Sequence, residues 1–250
     1  MSPAAWSFPR PADDADDLVA VGADLAPETL LGAYAGGYFP MFVPVGGRTD
    51  GDALGWFSPR RRGVLVPRRL VVSRSLLRSV RRFRFSVDSA FEEVVAGCGD
   101  PSRPGAWITP HIAGAYGELH RLGTAHSVEV WADDRLVGGL YGVAPGRLFA
   151  AESKFRRATD ASKAAVVGLV ALVQADADLQ PEPEPLIDTQ WATEHLATLG
   201  IEEWPRERYL ASLDALVAAP GPDFERWSVD GLGFTELVHS RARDARRGPR

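Results

Sequence analysis

The sequence has little of what several classes of protein require. Its 250 residues contain a single cysteine, so an intrachain disulfide framework and a zinc site built from several cysteines are excluded. The longest uninterrupted apolar run, Ala164 to Val173, has ten residues, about half of what a membrane-spanning helix needs. The first ten residues show no basic start followed by an apolar stretch. We therefore expect no secretory signal, no membrane partner and a cytoplasmic location.

Motifs for nucleotides, metals and common nucleophiles are also missing. No GxGxxG, P-loop, HExxH or GxSxG pattern occurs, and the histidines lack metal-ligand spacing. We therefore predict no cofactor and no metal ion, and expect the energy of any reaction to come from an activated substrate. Cys98 is predicted to be a core residue rather than a nucleophile, because it continues a helical apolar stripe that begins at Phe91.

Charge is distributed unevenly along the chain. Residues 60 to 84 hold ten arginines and no acidic residue, so the remainder carries a formal charge of −15 against −5 overall. Ser73 is predicted to cap a helix with arginines on one side and apolar residues such as Leu76 and Val80 on the other. This segment predicts a partner with a phosphate backbone or an anionic surface, and a solvated basic face is the alternative.

Turn signals and hydrophobic periodicity divide the chain into three parts. Residues 1–66 are turn-rich and acidic and are predicted to form a small N-terminal domain. Residues 67–217 combine helices, an antiparallel meander and a late strand, which indicates an α+β fold with a mixed, largely antiparallel sheet flanked by helices. Residues 218–250 are predicted to be a linker and a mobile basic tail.

One predicted strand carries polar residues where apolar ones are expected. In the run from Leu186 to Trp191, Asp188 and Gln190 are two residues apart and point to the same face of a strand. Glu152 likewise follows an apolar run. If the two strands are neighbours, two carboxylates and an amide cluster there. An ion pair or a helix cap is the alternative explanation for each carboxylate.

A series of ordered motifs points to a known family. They are Val21-Gly22-Ala23-Asp24-Leu25, Leu30 to Tyr34, Gly37-Tyr38-Phe39-Pro40, Trp56-Phe57-Ser58-Pro59, Trp107-Ile108-Thr109, Ala125-His126-Ser127-Val128-Glu129-Val130-Trp131, Ala151-Glu152-Ser153, Ala161-Ser162-Lys163 and Ile187-Asp188-Thr189-Gln190. On these motifs the chain resembles the leucyl/phenylalanyl-tRNA protein transferases. The resemblance implies a small N-terminal domain followed by a GNAT-like domain. It also implies transfer of Leu or Phe, and less readily Met, from aminoacyl-tRNA to the N-terminal Arg or Lys of a protein, which is thereby marked for degradation. We expect a monomer.

The same resemblance implies the site residues. Asp188 and Gln190 are expected to be catalytic: Asp188 positions and deprotonates the attacking α-amine, and Gln190 hydrogen-bonds the reacting groups. Trp107 is expected to hold the terminal adenosine, and Glu152 to lie near the aminoacyl group. The other expected substrate-binding residues are Met41, Tyr34, Phe149, Ser153, Lys154 and Thr189. The expected tRNA-binding residues are Arg60, Arg61, Arg62, Arg74, Arg78, Arg81 and Arg82.

Two positions depart from the family pattern. Met41 stands where the family usually has Trp, and Lys154 where it usually has Met. A buried, unpaired Lys154 is costly, so either it reaches outward or the pocket prefers other side chains, and we hypothesise altered or weakened selectivity. One alternative function is a tRNA-binding relative without catalysis. Another is an acyl-coenzyme A N-acetyltransferase on the same fold, which needs a loop whose backbone amides hold pyrophosphate.

Overall fold

The N-terminal part forms a small sheet with one helix. The computed structural model describes residues 6–8, 10–12, 15–44, 52–103, 107–178, 182–229 and 231–246. The small sheet is antiparallel, with strand order β1-β3-β2. Its elements are β1 (Leu18–Val21), α1 (Pro27–Ala35), β2 (Phe39–Pro44) and β3 (Asp52–Phe57). Pro27 occupies the first turn of α1, where its missing amide proton costs nothing.

A seven-stranded sheet forms the larger part, in the order β10-β4-β9-β8-β7-β6-β5. Only β8 and β9 are parallel, and every other neighbouring pair is antiparallel. The strands are β4 (Arg61–Leu65), β5 (Arg84–Val87), β6 (Ala125–Ala132), β7 (Arg135–Val143), β8 (Leu148–Arg156), β9 (Leu186–Gln190) and β10 (Glu202–Pro205). The predicted α+β class and the mixed, largely antiparallel sheet are confirmed.

Helices cover both faces of this sheet. The helices are α2 (Arg74–Val80), α3 (Phe91–Cys98), α4 (Pro110–Arg121), α5 (Ala161–Ala177), α6 (Glu194–Ala197), α7 (Arg206–Ala218), α8 (Phe224–Val229) and α9 (Gly231–Ala245). The apolar helix α5 is buried against one face, while α3 and α4 pack on the other. In the described part of the chain, no helix is long and apolar enough to cross a membrane.

The predicted boundary of the small domain is wrong by one strand. β4 lies within residues 1–66, yet it pairs with β9 and β10 in the large sheet. Its first residues, Arg61 and Arg62, have the pattern of a charged segment rather than of a strand. Arg62 is nevertheless buried, at 1 % exposure. The chain therefore enters the large sheet before the Arg-rich segment ends.

Residues 224 to 245 contradict the predicted linker and mobile tail. Helices α8 and α9 pack against β5, and α9 also contacts α5. The buried residues of α9, Phe234, Val238 and Ala242, recur every four positions and so form one helical face. The Thr235 hydroxyl accepts a hydrogen bond from the amide of Phe85 at 2.9 Å, so α9 also satisfies a backbone donor at the edge of the sheet. Residues 247–250 lie outside the described residues.

This packing predicts that the C-terminal helices stabilise the whole fold. Phe234→Ala should lower the free energy of unfolding by about 3–5 kcal/mol, because it removes a fully buried ring. Leu232→Ala in the same helix should change it by less than about 0.5 kcal/mol, because Leu232 is 75 % exposed. Urea unfolding of the full chain measures both. Equal effects of the two substitutions would contradict the docking of α9.

Candidate active site

A cavity of about 450 Å³ lies where the two parallel strands separate. β8 and β9 pair only as far as Ala150 and Asp188. The residues that follow on both strands, including Glu152 and Gln190, line the cavity. Apolar side chains of α5 and α6 complete it on the other side. The divergence of two neighbouring strands thus creates a site inside the sheet, where side chains of both strands face a common space.

Both strands bulge at the point of separation. On β8 the register with β7 shifts at Glu152, which has no partner of its own. On β9 the register with β4 shifts in the same way at Thr189. A bulge re-aims the side chains beside it, and here the amide nitrogen Nε2 of Gln190 lies 3.3 Å from Oε1 of Glu152. The predicted cluster of these polar residues is therefore present.

Two tyrosines extend this contact into the protein. The hydroxyl of Tyr116 donates to Oε2 of Glu152 at 3.0 Å, and the hydroxyl oxygens of Tyr116 and Tyr34 are 2.5 Å apart. The hydroxyl of Tyr34 also acts on Glu152 and lowers the pKa of its carboxyl. Tyr34 belongs to α1 and Tyr116 to α4, so the chain of hydrogen bonds joins the small N-terminal part to the cavity.

The carboxyl of Glu152 has a pKa close to neutral pH. Burial raises the pKa of its carboxyl to about 8, and the hydroxyls of Tyr34 and Tyr116 act in the opposite direction. A carboxyl with this pKa is partly protonated and partly ionised near neutral pH. It can therefore both accept and return a proton, which is what a general acid–base group needs.

Asp188 does not lie open to the cavity, which contradicts the expectation that it deprotonates the substrate. Its side chain is 1 % exposed and forms a two-pronged ion pair with Arg62, with Nε–Oδ1 at 2.7 Å and Nη2–Oδ2 at 2.5 Å. Tyr209 donates to Oδ2 at 2.9 Å and the amide of Gln190 donates to Oδ1 at 2.8 Å. Four donors occupy the carboxylate, so none of its lone pairs faces a substrate.

These contacts hold Gln190 in an unusual conformation. Gln190 has φ +59°, in the left-handed region that residues other than glycine rarely adopt. Asp188 accepts the amide proton of Gln190 in this conformation. On the facing strand, a Cβ at Gly63 would lie 2.6 Å from the backbone nitrogen of Ala192, so only glycine leaves room for this turn. Asp188 thus fixes the backbone that aims the Gln190 amide at Glu152.

The structure brings together most, but not all, of the predicted substrate-binding residues. Those that line the cavity are Trp107, Glu152, Ser153, Lys154, Thr189 and Gln190. Phe149 is instead buried in the core beside α8, and Met41 lies on β2 without lining the cavity. Tyr34 does not line the cavity, but its hydroxyl contacts Tyr116 and acts on Glu152.

Several residues at the cavity are not expected from the sequence. Trp191 lines the cavity and packs edge-on against Phe39 at 5.0 Å, and its position beside Gln190 was a usable signal. Arg103 also lines the cavity, and Tyr116 bonds to Glu152, but neither stands in a recognisable motif. Cys98 is a buried core residue as predicted, and burial raises the pKa of its thiol to about 11.

The predicted tRNA-binding arginines fall into three groups. The first group is exposed: Arg74 and Arg78 lie on α2 and Arg81 and Arg82 directly after it, and none of the four forms an ion pair among the described residues. Arg60 and Arg61 are exposed and paired with Asp16 and Glu203. Arg62 does not fit the prediction, because it is buried and held by Asp188.

Arg62 is therefore expected to act on stability and not as a phosphate contact. Arg62→Met should lower the free energy of unfolding by about 3–5 kcal/mol, because it leaves the buried Asp188 carboxylate unpaired. Adding Asp188→Asn should recover part of the loss by removing that charge. Arg78→Met on the exposed face of α2 is the matched control and should change stability by less than about 0.5 kcal/mol. Urea unfolding measures all three, and similar losses for Arg62→Met and Arg78→Met would refute this role.

Comparison with known proteins places the chain in a family. A family model described as leucyl/phenylalanyl-tRNA protein transferase matches residues 64–214, and the model of its N-terminal domain matches residues 23–60. A protein of Aromatoleum aromaticum named leucyl/phenylalanyl-tRNA–protein transferase is 47 % identical over 222 residues, covering 87 % of this chain and 88 % of the relative. A relative of the same name in Anaeromyxobacter sp. is 45 % identical over 234 residues, covering 91 % and 94 %. The chain therefore belongs to the leucyl/phenylalanyl-tRNA protein transferase family.

Proposed function

We propose that this chain transfers Leu or Phe, and less readily Met, from aminoacyl-tRNA to the N-terminal Arg or Lys of acceptor proteins in the cytoplasm, marking them for degradation. The observation that carries the proposal is the pair of Glu152 and Gln190 on the wall of one cavity, 3.3 Å apart. The cavity volume of about 450 Å³ is within the range of small-molecule sites. The names of the relatives support leucyl- and phenylalanyl-tRNA as donors and a protein as acceptor.

The reaction is an aminolysis of an ester that is already activated. The α-amine nitrogen of the acceptor attacks the ester carbon, a C–N bond forms, and the C–O bond to the terminal ribose breaks. The enzyme must align the two substrates, take a proton from the amine and return one to the leaving ribose oxygen. It needs no nucleotide cofactor for these steps.

We assign the proton transfer to Glu152 rather than to Asp188. Glu152 lines the cavity and has a raised pKa of about 8, whereas the Asp188 carboxylate is fully occupied by four donors. Gln190 then hydrogen-bonds the reacting groups through its amide, and Asp188 is a positioning residue that acts through Gln190. Trp107, on the cavity wall, offers an indole face on which the terminal adenine can stack.

Two other functions are less well supported. An acyl-coenzyme A N-acetyltransferase needs a Gln/Arg-x-x-Gly-x-Gly/Ala loop that binds pyrophosphate ahead of a helix. The stretch with this pattern, Arg48 to Ala53, is followed by the rest of strand β3 and not by a helix. A tRNA-binding protein without catalysis has no need for a buried carboxyl with a pKa near neutrality beside an oriented amide. Transfer of Leu from Leu-tRNA to a peptide that begins with Arg separates these possibilities, because only the proposed enzyme forms the new peptide bond.

The pH dependence of that transfer tests the role of Glu152. At low pH two groups must lose a proton, the acceptor amine with a usual pKa of about 7.7–8.0 and Glu152 with a pKa of about 8. In the wild type, kcat/KM should therefore fall on the order of 100-fold per unit of decreasing pH well below both values. Glu152→Gln should be slower by about 100- to 10,000-fold and lose only on the order of tenfold per unit. The same steepness in both proteins would exclude Glu152 as the proton acceptor.

The exposed arginines on and directly after α2 are proposed to bind the tRNA backbone. Arg74 and Arg78 lie on α2, and Arg81 and Arg82 directly follow it. All four are exposed and belong to the segment of ten arginines without an acid. The side chain of Ser73 caps this helix by accepting the amide proton of Leu76 at 3.2 Å, which keeps the display rigid. The buried residues Leu76 and Val80 attach it to the core.

Salt dependence of tRNA binding measures this interaction. Replacing Arg74, Arg78, Arg81 and Arg82 by Gln should weaken binding of any tRNA. It should also flatten the plot of log affinity against log salt concentration by roughly one unit of slope for each phosphate that is no longer neutralised. Arg121→Gln is the control, because Arg121 ends α4 on the opposite face of the sheet and pairs with Glu118. An unchanged slope in the four-residue variant would rule out α2 as the tRNA-binding helix.

A further inference from the structure

Two cationic side chains line the cavity, Lys154 and Arg103. Arg103 donates to the carbonyl oxygens of Cys98 and Lys154, both at 2.7 Å. These acceptors are neutral, so they hold the guanidinium in place without cancelling its charge. Among the described residues, Lys154 forms no ion pair with any carboxylate.

Lys154 shares its part of the cavity with apolar side chains. It stands opposite Leu140 in the register of β8 and β7, and both residues line the cavity. Val166 and Leu169 of α5 line the same cavity. A ligand there meets aliphatic surface along its length and an ammonium group within reach of its end.

The carboxyl of Glu152, which lines the same cavity, does not neutralise the charges of Lys154 and Arg103. Glu152 is engaged by Tyr116 and Gln190, and its raised pKa of about 8 keeps much of it neutral. Burial and the neighbouring Arg103 lower the pKa of Lys154, so the cavity disfavours this cation in the absence of a partner. An anion bound beside Lys154 would offset the effects of burial and of Arg103, and so would stabilise the charged form of Lys154.

We propose that the acyl-binding cavity also accepts an aminoacyl group whose side chain ends in a carboxylate on an aliphatic stem, as in Glu, and that Lys154 is the residue that selects it. The inference rests on the proposed aminoacyl transfer. The stem packs against Leu140 and Val166 while the carboxylate pairs with Lys154, and the bonds formed and broken are those of the Leu and Phe reaction.

A second anion of the same substrate, the terminal phosphate of the tRNA, could meet Lys154 instead. The tRNA phosphate and the acyl side chain would affect the amino-acid selectivity of transfer differently. A phosphate contact serves every aminoacyl-tRNA equally, whereas a side-chain contact serves only an acidic amino acid. The aliphatic neighbours Leu140 and Val166 favour the side chain, because a phosphate has no apolar surface to bury there.

The test loads Leu, Glu and Gln onto one and the same tRNA, so that only the acyl side chain differs. The full chain then transfers each to a peptide that begins with Arg. The wild type should transfer Glu with a kcat/KM on the order of 10- to 100-fold above that for Gln, which has the same shape without the charge. Lys154→Met should lower the Glu value by a similar factor and raise the Leu value.

Lys163→Met is the matched control, because it is the same substitution at the only other lysine of the chain and Lys163 does not line the cavity. It should leave the ratio of Glu to Leu transfer unchanged. Equal transfer of Glu and Gln, or an equal loss for all three amino acids in Lys154→Met, would overturn the inference, the latter in favour of the phosphate. Transfer of Leu without Glu refutes only this inference, whereas no transfer of any amino acid refutes the proposed function as well.

Discussion

The arrangement of the site depends on one buried ion pair, Arg62 with Asp188. Both side chains are 1 % exposed, and such a pair is tolerated inside a protein only when further hydrogen bonds satisfy both partners. Asp188 accepts hydrogen bonds from the hydroxyl of Tyr209 and the amide of Gln190. Arg62 also donates to the carbonyl of Gly37 at 3.1 Å. The pair thus joins the N-terminal part, the large sheet and α7 at one point. Gln190 receives its orientation from this junction.

The two carboxyl groups of the site differ because their surroundings differ. Asp188 is paired with Arg62 and accepts hydrogen bonds from Tyr209 and the amide of Gln190, so structural contacts occupy its oxygens. Glu152 is also buried, but it faces tyrosine hydroxyls and an amide, so burial dominates and raises its pKa to about 8. Environments that separate two neighbouring carboxyls in this way assign them different tasks, one structural and one in proton transfer.

Periodicity and motifs predict much of this fold, but not where charged residues end up. The expected antiparallel meander is present as β6, β7 and β8, and Glu152, Asp188 and Gln190 lie together as the strand pattern predicts. The burial of Arg62 could not be predicted, because the sequence of an arginine run does not show which of its side chains is buried and which is exposed. The C-terminal helices carried a signal at Phe234, Val238 and Ala242, but the arginines that follow favoured a solvated tail.

The N-terminal part and the large sheet form the site jointly. Trp191 lies between them: it lines the cavity, packs against Phe39 and donates to Asp17 at 3.0 Å. Tyr34 of α1 reaches Glu152 through Tyr116. A movement of the N-terminal part would therefore disturb both the group that transfers the proton and the wall that receives the substrate. In the proposed mechanism the N-terminal part supports the site, although the strands that carry Glu152 and Gln190 belong to the large sheet.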